Sequence, residues 1–436
     1  PYQYDNGVNG LKKIVGINLG AFAYSSVIKN VIIPGSISYI GDAAFAVSSL
    51  ENIYIPSSLT SLQVEPSSGG IRTFLYCSSL KNINVSPDNP VYSSLDGVLF
   101  NKNKTELLHL TSKSSYVIPD GTLYFAGYAL ASSAASTLDF PASVISMPAS
   151  FPFTLSGINI NSNNLFYSSD SGVLFNKNKT QLIKFPARKN SGNDITDLNT
   201  YYVPSSTTGI SSSAFDGNSN IFGIFGDVKG AADPSRFYIV LGTGIKIFDE
   251  STFTNMSNCF EINFPSSALK IKNTSIFSMP NLYNIGISSG NARIETSSNF
   301  FNLDLLSNLE GINVNPNNQN YSSINGVLYD KNQTMLLAHP PKKYQSPNIM
   351  NFIPNTVTGI GYKAFNSSFY LTGLELPNSL KSIADFAFFN ATGITTISIP
   401  SGVNDISPSS FVRMKNLEYI KVDPLTASFL VLTFFG

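Results

Sequence analysis

The chain has 436 residues, 42 % of them apolar and 12 % charged, against roughly 25 % charged in an average globular protein. Its 27 basic and 27 acidic side chains cancel; no basic face is left to neutralise phosphates, which argues against nucleic acid, and no basic amphipathic stretch argues for a membrane-surface helix. Cys77 and Cys259 stand too far apart in sequence, and are too few, for a disulfide framework or a zinc site. No apolar run is long enough for a membrane span.

Taken in chain order, the first recurring element is an Ala-Phe pair followed by an apolar strand pattern. Phe22 and Phe45 are 23 residues apart, and "YIGDAAFAVSSLENIYIP" (39–56) reads Ile-x-x-x-Ala-Phe, then Leu-x-x-Ile-x-Ile-Pro. The next ring, Phe74, comes later than this spacing asks, after an extra loop around "VEPSSGG". At Tyr92 a different unit begins, "YSSLDGVLFNKNKT", with near-copies at Tyr167 and Tyr321. Asp96-Gly97 is a tight-turn pair, "VLF" a short strand, "NKNK" a second turn and "TELL" a returning strand; together they predict an antiparallel meander. Degenerate coils follow near 130 and 151. Beyond the second copy, Pro204 and Phe215 restore the proline-to-ring offset seen between Pro34 and Phe45.

The interval from Tyr167 to Tyr321 is 154 residues, close to twice the 75 between Tyr92 and Tyr167. A decayed fourth copy is therefore expected at "FYIVLGTGIKIFDESTF" (237–253). Phe253, Phe277 and Phe301 continue at a spacing of 24, and Phe365, Phe388 and Phe411 at 23. The count is about twelve coils in one repeat domain, 1–436, with hairpin inserts near 88–116, 163–201, 236–248 and 317–352. Within Leu-x-x-Ile-x-Ile the last two apolar positions alternate and point the same way from a short strand. Pro ends that strand because it cannot donate to a ladder. One coil cannot bury its apolar face; stacked coils bury a continuous core. The Ala-Phe pair then forms the opposite wall, its rings filling the space behind the strands.

This skeleton resembles the BspA-type leucine-rich repeats, "IxxxAFxxCxxLxxIxIP", over nearly the whole chain. Cys77 occupies the family's Cys slot, while Cys259 takes a Leu slot; both read as small core residues. The resemblance implies a leucine-rich-repeat solenoid of right-handed coils of about 23 residues, with short parallel β-strands on the concave side and inserted antiparallel hairpins. It also implies a cell-surface adhesin engaging a protein partner such as a host extracellular-matrix protein, here expected as an extracellular monomer anchored through a removed N-terminal segment.

Little in the residues points to chemistry. Asn103, Asn178 and Asn332 begin Asn-x-Thr triplets, which the hairpin turns themselves call for. His109 and His339 each follow a hairpin's final Leu-Leu, with Lys184 replacing them in the middle copy; a structural role is expected. No phosphate-binding Gly-rich loop, nucleophile elbow or metal-spaced motif is present, so no cofactor, no metal and no enzymatic activity are expected. A polysaccharide-active β-helix enzyme would need paired carboxylates, and Asp249-Glu250 is the only adjacent acidic pair. That leaves binding, through the residue between the two strand apolar positions. It is Ile32, Tyr54, Asn84, Asp139, Asn159, Asn263, Gly286, Asn313, Glu375, Ser398 and Lys421 along the chain. Tyr54, Glu375 and Lys421 are the candidate partner-binding residues, since exposed aromatic and charged groups suit an interface. A glycan-binding protein of a surface nutrient-capture system is the alternative.

Overall fold

In the computed structural model, residues 3–4, 12–65, 70–189, 199–227, 236–272, 274–295, 303–343 and 353–422 are described. They fall into two compact units, Pro1–Asn178 with Pro186–Lys189, and Lys179–Phe185 with Asn190–Gly436. Both are built from short strands, and the one helical turn among the described residues is the 3-10 segment Leu303–Leu305.

Each coil meets its neighbours along three walls. The first is the Leu-x-x-Ile-x-Ile strand. In unit 1, Asn30–Ile32, Asn52–Ile55 and Asn82–Val85 pair in parallel with Val31, Ile53 and Ile83 in line. A second set comprises Ser115–Val117, Thr137–Phe140 and Gly157–Ile160. In unit 2 the same arrangement aligns Ile262, Ile285 and Ile312, then Leu374, Ile397 and Ile420. The first apolar residue of the pattern, three positions earlier, is also inside: Leu50, Leu80, Leu282, Leu309, Leu371 and Ile394 are all fully buried.

The second wall is a ladder of two-residue strands just before the Ala-Phe turn. It runs Gly16–Ile17, Tyr39–Ile40, Ser61–Leu62 in unit 1, and Gly359–Ile360, Ser382–Ile383, Asp405–Ile406 in unit 2. The third wall is the Ala-Phe turn itself. Backbone hydrogen bonds climb it from coil to coil: Phe22 N–H donates to Ala44 O, Phe45 to Thr73, Phe365 to Ala387 and Phe388 to Ser410. Behind these bonds the rings form columns. Phe22, Phe45 and Phe74 stack at 5.2 and 6.2 Å, and Phe365, Phe388 and Phe411 at 5.0 and 5.3 Å, within the range favoured by offset aromatic pairs. Residues two before and two after a ring hold left-handed backbone, as at Ala43 and Val47 or Lys363 and Ser367, which folds the wall tightly around each side chain. In the expected series Phe253, Phe277, Phe301, the ring of Phe253 is buried; Phe301 and the side chain of Phe277 lie outside the described residues.

The repeated fourteen residues do form hairpins. Tyr92–Leu95 pairs antiparallel with Val98–Asn101, Tyr167–Asp170 with Val173–Asn176, and Tyr321–Ile324 with Val327–Asp330. In all three the tip closes over the last strand of a parallel sheet, whose N–H groups would otherwise be left at an edge. Ile83, Ile158 and Ile312 N–H donate to Gly97, Gly172 and Gly326 O at 2.8–2.9 Å. One residue pair further along, Val85, Ile160 and Val314 N–H donate to the Oγ of Ser94, Ser169 and Ser323. The glycine is required here: its φ is +78° to +80°, and a Cβ at Gly97, Gly172 or Gly326 would sit 3.0–3.1 Å from the backbone beneath.

Three residues before each Tyr stands a fully buried Asn, namely Asn89, Asn164 and Asn318. Its Oδ1 accepts the N–H groups two and three residues on, and its Nδ2 donates to carbonyls of the preceding coil. Each hairpin is also clamped by a lysine, with Lys102, Lys177 and Lys331 Nζ donating to Pro87, Ser162 and Pro316 O at 2.9 Å.

The fourth expected hairpin, near 236–248, is not one. Phe237–Val240 pairs in parallel on both sides, with Thr200–Tyr202 and with Ile221–Phe225, so it enters the sheet out of sequence order. Gly242 does adopt φ +74°, but no Asp-Gly or Asn-Gly pair follows an Asn cap there, and the following strand, Ile247–Phe248, joins a different parallel ladder. The even interval between copies is a misleading guide here.

Two substitutions test this architecture. Phe388 is fully buried between two rings, so Phe388→Ala is expected to lose about 3–5 kcal/mol in urea unfolding. Asn89→Ala removes the partner of the Val91 and Tyr92 N–H groups and of the Leu59 carbonyl, Pro56 O keeping the Leu59 N–H, and a loss of about 3 kcal/mol or more is expected; a loss below about 1 kcal/mol would show that the cap is dispensable.

Candidate interaction surface

The register places the outward residues of each first-wall sheet in rows. Tyr54 lies between Ile32 and Asn84 in unit 1, and Ser398 lies between Glu375 and Lys421 in unit 2. Glu375 and Lys421 are exposed and share one row, two strands and so about 9–10 Å apart at the backbone. Tyr54 is 40 % exposed beside Ile32, which is 80 % exposed. On the same face as Lys421, two residues earlier, Tyr419 is 68 % exposed. Strand alternation carries the signal for it, but attention to the central position alone passes over it.

Asparagines in these rows form structural ladders. Asn52 Nδ2 donates to Asn30 Oδ1 and Asn82 Nδ2 to Asn52 Oδ1, at 2.8 and 2.9 Å. Asn159 Nδ2 reaches Asp139 Oδ1 at 2.6 Å, and Glu261 Oε1 accepts from both Asn263 and Asn284.

A further column lies one residue after the buried Leu slot, and its chemistry changes along the chain. In unit 1 it holds Lys29, Glu51 and Lys81, in which Glu51 pairs with both lysines, and these hydrogen bonds hold its carboxyl below the usual range. Further along it holds Ser136 and Ser156, each donating Oγ–H to the coil before. In unit 2 it becomes Phe222, Phe260 and Tyr283, stacked at 5.2 and 4.7 Å with planes 8° apart. Arg236 lies 3.9 Å over the other face of Phe222. At the far end Tyr283 donates its phenolic hydrogen to Glu310, a bond that raises its pKa. A groove of about 730 Å³ runs beside this column, lined by Asn220, Arg236, Asn258, Phe260, Asn281 and Asn308 among others. Sequence reading missed these rings because the strand pattern drew attention to the position between the two Ile residues.

The two histidines sit in different slots. His109 pairs opposite Leu99 as Ala338 does opposite Leu328, whereas His339 takes the place of Phe185: their N–H groups donate to Ala364 O and Ala214 O respectively. Lys184 thus replaces His109 alone. Both imidazoles belong to ring columns, His109 edge-on to Phe74 at 5.6 Å and His339 stacked on Phe365 at 5.3 Å. Burial lowers their pKa values to about 4 and about 3, with Lys343 adding to the effect at His339. Cys77 and Cys259 are free and fully buried, and burial raises the Cys259 thiol to about 12. Among the described residues no three His, Cys, Asp or Glu side chains converge as a metal site would need, and no helix is long and apolar enough to cross a membrane.

Stacked parallel strands, an inward Leu/Ile core and ring columns define a leucine-rich-repeat protein. Residues 8–114, 236–325 and 342–434 match the BspA type leucine rich repeat region in 6 copies, and the chain belongs to that family. No curated protein matches it. Among solved structures it is similar to a leucine-rich repeat protein from Eubacterium ventriosum, at 17 % identity and a TM-score of 0.43, over 94 % of this chain and 82 % of that one. The pneumococcal vaccine antigen PcpA gives 16 % identity and a TM-score of 0.36 over 93 % and 82 %. A leucine-rich repeat protein from Bacteroides ovatus gives 15 % and 0.33 over 100 % and 97 %.

The histidines yield a pH prediction. A folded-state pKa below the unfolded value means that the unfolded chain binds more protons as the medium is acidified, so stability falls with pH. The loss should begin near pH 6.5, the ordinary value, and continue to about 4 for His109 and about 3 for His339. The variant His339→Phe, which installs the ring present at Phe185, is expected to lose less thermal midpoint than the parent between pH 7.5 and 4.5, as read by circular dichroism.

Proposed function

We propose that the protein is a non-enzymatic cell-surface interaction protein that binds a protein partner, such as a host extracellular-matrix protein, through the outward rows of its sheets. The observation that carries this is the row Glu375–Ser398–Lys421, held in register by three parallel strands and exposed at all three positions. The strands fix where these side chains stand, so little ordering is needed on binding. Tyr419 beside Lys421 supplies the aromatic area typical of an interface centre. Membership of the BspA-type family supports a binding role. In this reading 1–436 is one repeat domain of right-handed coils with the period of the Phe365, Phe388 and Phe411 series. Its first-wall sheets lie on the concave side, and it acts as a monomer. Tyr54 serves the same purpose on its own row.

The test is surface plasmon resonance of the full chain against a panel of purified matrix proteins. Binding to at least one is expected, with about a tenfold rise in Kd for Glu375→Ala/Lys421→Ala, about 1.4 kcal/mol, and an unchanged thermal midpoint. The absence of binding to every member of the panel would refute the proposal.

A further inference from the structure

The column after the Leu slot shows what the fold itself demands there. Serines at 136 and 156 satisfy it by bonding to the coil before, Thr395 does so by donating to Thr372 O, and Lys29, Glu51 and Lys81 do so by pairing charges. Packing therefore does not require the rings of Phe260 and Tyr283, which remain 37 % and 36 % exposed, whereas Phe222 also packs on the buried Phe225, Tyr238 and Val240. Phe222 and Phe260 line the groove with their faces taken by one another, by Arg236 and by Tyr283 stacked behind Phe260, so the groove meets their edges, a flat apolar strip.

Two residues before each ring, and before Glu310 at the end of the column, runs a second row, Asn220, Asn258, Asn281 and Asn308. It is in line because Gly223, Glu261, Asn284 and Gly311 pair in register. Asn258, Asn281 and Asn308 each donate Nδ2–H to the preceding coil, to Ser219, Ser257 and Pro280 O at 2.6–2.7 Å. Asn416 makes the same bond to Thr392 O beside a column without rings, so the bond is a device of the repeat. Its consequence in the groove is chemical: the amides are all turned alike, and three Oδ1 acceptors recur once per coil along the apolar strip.

We infer that this groove binds a linear, neutral, hydroxyl-rich glycan lying along the coil stack, with about one hexose per coil. Coils succeed one another at about 4.8 Å, close to the length of one hexose unit in an extended β-linked chain. Successive hydroxyls can donate to successive Oδ1 atoms while the sugar C–H groups rest on the ring edges. An extended peptide along the same line would present N–H groups on one side only every second residue, about 6.8 Å apart, out of step with the row. An acidic glycan would set one carboxylate acceptor per residue against this row of acceptors. This site goes beyond the protein-binding rows and uses none of their residues.

The experiment is affinity gel electrophoresis of the full chain through gels containing hydroxyethylcellulose, glucomannan or galactomannan, with polygalacturonate as the anionic comparison. Retardation by at least one neutral polymer is expected, with none by polygalacturonate. Phe260→Ser/Tyr283→Ser, which installs the residue of positions 136 and 156, should weaken it at least tenfold, with the circular dichroism spectrum unchanged. Asn281→Leu, which keeps both rings and removes one acceptor, should weaken it severalfold, and Leu165→Ser, at an exposed apolar position outside the groove, should leave it unaltered. The inference is overturned by no retardation in any neutral polymer, by equal retardation of the double variant, or by stronger retardation in polygalacturonate. Matrix-protein binding lost on Phe260→Ser/Tyr283→Ser, without glycan retardation, would overturn it in favour of a protein surface.

Discussion

A coil of this chain offers hydrogen-bonding groups along its axis that it cannot satisfy by itself, and every wall of the fold answers that demand. The strand N–H and C=O groups point to the coils before and after, and so do those of the Ala-Phe turn, where Phe365 reaches Ala387 and Phe388 reaches Ser410. Burial of Leu and Ile drives stacking, but hydrogen bonding sets its register, because a buried group left unpaired costs more than a typical paired one contributes. Where a parallel run stops, an edge appears, and exposed edges invite pairing with other chains.

The hairpins answer that edge. Gly97, Gly172 and Gly326 bring a backbone carbonyl onto the last strand, and Ser94, Ser169 and Ser323 add a hydroxyl to the next N–H. The buried Asn behind each hairpin ties it to the coil before. Near-identity of the three copies thus reflects three instances of one geometrical problem. In the first and third hairpins a third strand, Glu106–His109 or Met335–Ala338, also starts a parallel second-wall ladder with Tyr124–Phe125 or Gly359–Ile360, so one element both ends a sheet and begins another.

Most of the fold was legible because its signals are local and periodic. The spacing of Phe365, Phe388 and Phe411 reports ring columns directly, and Asp96-Gly97 reports a turn. Position along the chain was a poorer guide than chemistry. The interval arithmetic placed a hairpin at 237–253, although no Asn cap or Asp-Gly tip stands there, and Phe237–Val240 pairs between strands that precede it in sequence. Such an insertion leaves no periodic mark. The histidines differ in slot by one residue because His109 directly follows its Leu-Leu whereas Ala338 stands between Leu337 and His339, with the same bulge in both hairpins. The ring column at Phe222, Phe260 and Tyr283 was hidden for another reason. Each residue looks ordinary in its own coil, and only register makes three separate aromatics one surface.

Closing sheets with a self-contained cap has a consequence for how such a chain can change length. The hairpins close first-wall sheets of three, three and six strands, yet the capping contacts are the same each time. Coils can therefore be added or lost between two caps without redesigning either, and an outward row can lengthen by one strand spacing at a time. The hairpins act as fixed marks on an adjustable ruler.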